Sequence, residues 1–195
     1  MSQLRVRRSP PQRQRGAILV VVLMFLVLLT IISVSSISGV TLEEKMAGNL
    51  REQNTAFQAA ESALRDAEID LETGIGGTNN RDPVTIAAHF PAAPGCGGAF
   101  INGACRNADH MAQIVTDSSW DWTSATKTVA YATYTGADTL SGVFRQPRYV
   151  IEYLPQMDDA TTTPTTRHFR ISARGWGANQ NSVVTLQTVY RMPTN

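Results

Sequence analysis

From Gly16 to Leu42 the chain carries no charged side chain, and within that run Ala17 to Ile32 is apolar except for Thr30. Five arginines, Arg5, Arg7, Arg8, Arg13 and Arg15, stand before it, and Glu43 and Glu44 follow it. A helix from Ala17 to Val40 rises roughly 36 Å at 1.5 Å per residue, enough to cross the hydrocarbon core of a bilayer. An ordinary cytosolic protein is thereby excluded, because a soluble chain has no way to cover such a stretch on every side. The arginines place the amino terminus in the cytoplasm and the bulk of the protein outside. The formal charge of +1 hides this division: residues 43 to 195 hold twelve basic and sixteen acidic side chains, a net −4. The alternative is a secretory signal peptide, cut where Ser36-Ile37-Ser38 offers small residues. Helical periodicity does not stop there, however. Leu42, Met46 and Leu50 follow at steps of four, and Phe57, Ala60, Leu64, Ala67 and Leu71 at steps of three and four, predicting one long helix partly in lipid.

The chain thus divides into a basic leader (1–16), a transmembrane helix segment (17–40), an amphipathic continuation (41–72), an irregular connection (73–126) and a sheet (127–191). Gly39 and Gly48 mark the places where the long helix bends most readily, or where a neighbouring helix approaches. Thr73-Gly74-Ile75-Gly76-Gly77 supplies the helix stop. Residues 73–126 hold half of the 14 glycines and both cysteines, with little periodicity. Four strands follow, at Lys127 to Tyr134, Arg148 to Leu154, Arg167 to Arg174 and Ser182 to Tyr190. Phe169, Ile171 and Ala173 alternate with Arg170, Ser172 and Arg174, so the third strand buries one face. Gly175 to Asn181 turns into the fourth strand. Short connections favour an antiparallel sheet packed on the outer half of the helix, an α+β fold.

Arg15-Gly16-Ala17 ahead of an unbroken apolar helix resembles the processing site of type IV prepilins. Thr41-Leu42-Glu43-Glu44-Lys45-Met46-Ala47-Gly48-Asn49 and Ala56-Phe57-Gln58-Ala59-Ala60-Glu61-Ser62-Ala63-Leu64-Arg65 resemble the helix of the PilX group of minor pilins. Tyr149-Val150-Ile151-Glu152 and Ala173-Arg174-Gly175-Trp176-Gly177-Ala178 resemble that group as well. The likeness spans 15–72 and 145–191, with none seen in 73–126. It implies a pilin-like fold, cleavage between Gly16 and Ala17 by prepilin peptidase, methylation of Ala17, and passage from the inner membrane into a pilus. The partners it implies are other minor and major pilins, met through the helix in a complex that primes assembly at the tip, with adhesion or aggregation as further roles. One position departs from the pattern. Val21, the fifth residue after the cut, stands where major pilins carry a glutamate that meets the amino-terminal ammonium of the neighbouring subunit. A subunit without that carboxylate suits a position with nothing ahead of it, or is merely better held by lipid. The alternatives are a type II secretion pseudopilin and a signal-anchored periplasmic domain with a binding or enzymatic site in 73–126.

Cys96 and Cys105 lie in a Gly-rich loop on the oxidising side of the membrane and are expected to form a disulfide. With His89 and His110 they give His-x6-Cys-x8-Cys-x4-His, a zinc alternative that fits no compact motif. No metal or cofactor is expected, and no catalytic group. His168 reads as a surface residue in a strand, Asp158-Asp159 as a solvated pair, and no Gly-x-Ser-x-Gly elbow or phosphate loop is present. Arg145, Arg148, Arg167, Arg170, Arg174 and Arg191, interspersed with Tyr149, Tyr153, Phe169, Trp176 and Tyr190, are read as a row of exposed arginines over a buried apolar face rather than a nucleic-acid site, since this side of the membrane is acidic overall.

Overall fold

A computed structural model gives the fold. It describes residues 16–72, 90, 96, 100–107, 114–117, 119–158 and 166–193, without the side chains of residues 36–40. Helix α1 runs Ala17–Glu72, and strands β1 Ala104–Arg106, β2 Val129–Ala130, β3 Arg148–Tyr153, β4 Thr166–Trp176 and β5 Val183–Pro193 follow. By its internal contacts the chain forms two units, Met1–Ala47 and Gly48–Asn195.

In the first unit every described side chain is exposed. One stretch, Ala17–Ser35, is long and apolar enough to cross a membrane. Two of its hydroxyls are satisfied within the helix: Thr30 donates to the Val27 carbonyl and Ser33 to that of Leu29, each at 2.8 Å. Such back-bonding leaves neither of these two hydroxyls in need of water, which suits lipid.

The second unit is an α+β body. Its sheet runs β1-β3-β4-β5, with β2 also on β3. β3, β4 and β5 are antiparallel, and the β4–β5 ladder pairs residue for residue from Thr166↔Pro193 to Trp176↔Val183. Along the outer edge of β3, β2 pairs antiparallel with Arg148 and Tyr149, while β1 pairs parallel with Ile151 to Tyr153. The parallel strand arises from the region read as irregular. Asn102 and Gly103 have φ of 48° and 71° and form a tight turn in which Ile101 and Ala104 exchange backbone bonds of 2.9 and 3.0 Å. Asn-Gly is the favoured sequence for such a turn, and it was the available local signal for order here.

The expected strand Lys127 to Tyr134 is reduced to Val129–Ala130. Asp66 on α1 competes for its backbone: the carboxylate accepts the Ala132 N–H at 2.9 Å and the Thr135 hydroxyl, and Ala132 is turned to φ 68°. A local pattern of alternation contains no information about that distant acid. β4 also runs two residues beyond Arg174, so Gly175 and Trp176 belong to the strand and the turn begins at Gly177.

The helix face buried in this unit is formed by Ala56, Ala59, Ala60, Ala63, Ala67 and Leu71, whereas Phe57, expected on that face, is 42% exposed. Opposite Ala63, Ala67 and Leu71 lie Tyr149, Ile151, Tyr153, Phe169, Ile171 and Ala173. Phe90 joins Tyr153 and Phe169 in a ring triad with centroids 5.4–5.9 Å apart. Each such pair contributes about 0.5–1.5 kcal/mol beyond its area.

The other face of the sheet is covered too. Cys96, Cys105, Ile114, Trp122, Val150 and Trp176 form a second core. This layer overturns the expected row of exposed arginines. Arg170 is 6% exposed and lies against the fully buried Glu152. Arg174 stacks over the Trp122 ring at 4.8 Å, and Arg148 donates to the Thr128 hydroxyl at 2.5 Å and the Thr128 carbonyl at 2.8 Å. Arg167 is half-buried, leaving Arg145 and Arg191 exposed, the former 5.6 Å from the Trp176 ring.

Candidate functional site

Three regions bring together the residues singled out by sequence. The first is the bare apolar helix. Gly16 precedes its first turn, Ala17 is its first residue, and Val21 is 51% exposed in its second turn, among Ile18 to Val34 that are likewise uncovered by the described residues. A charge-free cylinder of this kind needs lipid or other helices around it. Gly48 has nothing within 4 Å of where a Cβ would stand, so no contact among the described residues demands a glycine there. Gly39 has helical backbone, and its surroundings lie outside the described residues.

The second region is the seam that joins helix and sheet in the second unit. A Cβ on Gly175 would fall 2.2 Å from the Ala56 carbonyl oxygen and 2.4 Å from the Ala60 nitrogen. One on Gly177 would fall 2.7 Å from the Glu52 carbonyl oxygen. The end of β4 therefore lies directly on helix backbone, which only glycine permits on the strand and only small residues permit on the helix. The Glu52 carboxylate closes the contact, accepting from Ala178 N–H at 2.8 Å and from Asn179 Nδ2 at 3.1 Å. The alanine-rich block around Ala56 to Ala63 and the Gly175-Trp176-Gly177 block are thus two sides of one contact.

The third region is the outer face. Cys96 and Cys105 are joined, with sulfurs 1.94 Å apart and Cα atoms 5.4 Å apart. Joined sulfurs offer no thiolates to a metal, and His89 and His110 of the zinc alternative lie outside the described residues. Beside the disulfide, Glu152 receives Arg170 Nε at 2.8 Å and Nη2 at 2.7 Å, and Asn107 Nδ2 at 2.9 Å. This two-pronged pair fastens β3 to β4 beneath the covering layer, and Asn107 fastens the exit of β1 to it. Nothing in the strand pattern marked Glu152 as buried.

Asp158 is not the solvated acid expected from its loop. Its side chain is 4% exposed, accepts from Arg167 Nη1 at 3.0 Å, from the His168 backbone N–H at 3.0 Å and from the Tyr153 hydroxyl, and lies 3.4 Å from His168 Nδ1. Burial, with the Asp158 carboxylate alongside, pushes the Tyr153 phenol up to about 12. His168 is accordingly held in a closed polar knot, 17% exposed, rather than on the surface. Asp159 lies outside the described residues. The knot ties the start of β4 to the end of β3.

A long helix, uncovered in its first unit and clamped by a sheet in its second, defines a membrane-anchored protein of the pilin-like type. Residues 15–65 match the family model for the PilX N-terminal domain, and residues 101–192 match that for the C-terminal domain of type IV pilus assembly protein PilX. The two matches cover most of the chain in the order the family requires, and the chain belongs to the PilX family, with a role in type IV pilus assembly. No curated protein and no solved structure matches it. The second match begins inside the region where sequence inspection saw no likeness, at the Asn102-Gly103 turn and β1.

Proposed function

We propose that this protein is a minor pilin acting in the complex that starts a type IV pilus. It is made as an inner-membrane precursor with the amino terminus in the cytoplasm and the second unit outside. Prepilin peptidase cuts it between Gly16 and Ala17, Ala17 is methylated, and the helix then associates with other minor and major pilins. The role is structural rather than catalytic. The observation carrying this reading is a charge-free helix, uncovered among the described residues, with Val21 where a docking carboxylate would stand. Lacking the acid, the subunit cannot offer Glu to an ammonium ahead of it, yet it still offers its own ammonium at Ala17 to a subunit that follows. Such an asymmetry suits the leading end of a filament.

The test counts and measures surface pili in a deletion strain and in a Val21→Glu strain, with end-specific labelling of the protein and intact-mass measurement of its mature form. The expected results are fewer pili of ordinary length in the deletion, no gain from Val21→Glu, label at pilus ends, and a chain beginning with methylated Ala17. A buried acid without a partner costs a few kcal/mol, roughly, so Val21→Glu lowers pilus number if it changes it. Label spread along the shaft refutes the leading position, and a mature chain starting near Gly39 refutes the processing.

A further inference from the structure

The assembly reading leaves open which part of the folded unit meets a partner, and the sheet offers an answer. β5 is the last strand of the sheet, and all eleven of its residues pair with β4 without a bulge. In such a ladder every second residue aims its N–H and C=O away from the neighbour. Among the described residues no backbone hydrogen bond reaches β5 from any element other than β4; the turn Ile114–Thr116 comes near it without bonding to its backbone. The opposite edge is treated differently, since β1 and β2 together fill the outer side of β3.

Natural edge strands avoid unwanted pairing by being short, charged, bulged or broken by proline. β5 has few of these defences. Its eight residues from Val183 to Tyr190 are uncharged and mostly β-branched or aromatic, its one charge is Arg191, and its proline is the final residue. Val183 and Val189 are 39% and 52% exposed. We propose that the outer edge of β5 is a docking strand, to which a different protein on the same side of the membrane adds an extended segment.

The occupant must be a strand, because only an extended backbone satisfies the alternating groups along the edge. A second copy of this chain fits badly. Within the second unit α1 runs the same way as β5, from Ala56 against Gly175, the partner of Val184, to Glu72 against the Tyr190 hydroxyl, so two-fold antiparallel pairing of β5 with itself turns the helix of one copy end for end, against the shared membrane side of the assembly reading. Parallel pairing in register sets Arg191 beside Arg191, a like-charge contact. The segment that fits is neutral for most of its length, with apolar side chains beside Val183 and Val189 and an acid beside Arg191. This inference rests on the assembly reading for the existence of a partner.

The experiment places a photo-crosslinking amino acid at Val189 in the full-length protein, in cells making pili, alone and together with Gln187→Pro or Thr188→Pro. Of these neighbouring positions one aims its N–H outward and the other toward β4. The expected result is an adduct with another pilus protein. One proline lowers its yield about ten-fold or more while leaving protein level and the Cys96–Cys105 link unchanged; the other lowers the protein level. No adduct, an adduct between two copies of this chain, or an adduct that survives both prolines overturns the docking strand. If the deletion strain makes pili normally, the assembly reading fails instead, whatever the adduct.

Discussion

Replacing Gly175 by alanine adds one methyl group at the closest point between helix and sheet. Its nearest neighbours would be the Ala56 carbonyl oxygen at 2.2 Å, the Ala60 nitrogen at 2.4 Å and the Ala59 carbonyl carbon at 3.0 Å. All three are backbone atoms of α1, so no side chain can rotate away. Ordinary contact lies near about 3.5 Å, and β4 must therefore withdraw by roughly 1 Å. A gap of that size forfeits about a quarter to a half of the attraction along the seam, in addition to the ~1–3 kcal/mol that an extra methyl costs in a filled core. We expect a loss of about 3 kcal/mol, a factor of roughly 100 in the ratio of unfolded to folded protein. Since whole domains are stable by only about 5–15 kcal/mol, that is a large share. Urea unfolding of the full-length protein in detergent, followed by the fluorescence of the buried Trp122 and Trp176, measures it. Gly48→Ala, with open space around the new methyl, is the control, expected to be neutral or to stabilise by up to ~1 kcal/mol. A loss below about 0.5 kcal/mol for Gly175→Ala refutes the reasoning. So does rescue by Ala60→Gly, since the clash is with backbone that this second change leaves in place.

Other perturbations test the remaining contacts. Arg170→Met strands the buried Glu152 and should cost about 3–5 kcal/mol, while Arg170→Met with Glu152→Leu should recover most of it in the same unfolding assay. Burial raises the Asp66 carboxyl above its ordinary value of 3.8, against hydrogen bonds from Thr135 and Ala132 that lower it. The folded chain therefore holds this proton to higher pH than the unfolded chain, and the associated stability is complete below 3.8 and lost as pH rises through the folded value. Asp66→Asn should flatten that fall and stabilise the protein at neutral pH; an unchanged slope counts against it. Serines at both Cys96 and Cys105 should cost about 2–3 kcal/mol by loop closure, and reductant should lower the wild type to the same midpoint.

The long helix and the three main strands were legible because each signal is local: an apolar run too long for a soluble turn, and alternation in Phe169, Ile171 and Ala173 that fixes which face is buried. β3 and β4 begin within one residue of expectation, and β5 starts one residue late and extends to Pro193. The helix seam was misread by placing Phe57 on it, since volume suggested a core residue where close approach required alanine. The unseen part was the second layer. Alternation says that Arg170 and Phe169 face opposite ways, but not that Trp122 and the disulfide cover the side Arg170 faces. Only the pairing of Glu152 with Arg170 across β3 and β4 makes that side tolerable to bury. The helix start likewise gave the membrane anchor directly, whereas the meaning of Val21 depends on a neighbouring subunit that no single chain contains.

The glycine seam has a mechanical consequence. On the filament reading, tension runs along the helix, and whatever share of it reaches the sheet passes where the two touch. At Gly175 that touch is backbone against backbone, with no long side chain between to extend before load is transmitted, and at Gly177 the Glu52 backbone and its carboxylate both lie against the turn. A junction of this kind behaves as a stiff rivet: it yields little until it fails, and it fails at once rather than by gradual slippage. The compliance of such a subunit then resides in the rest of the helix, and the sheet is carried along as a rigid passenger.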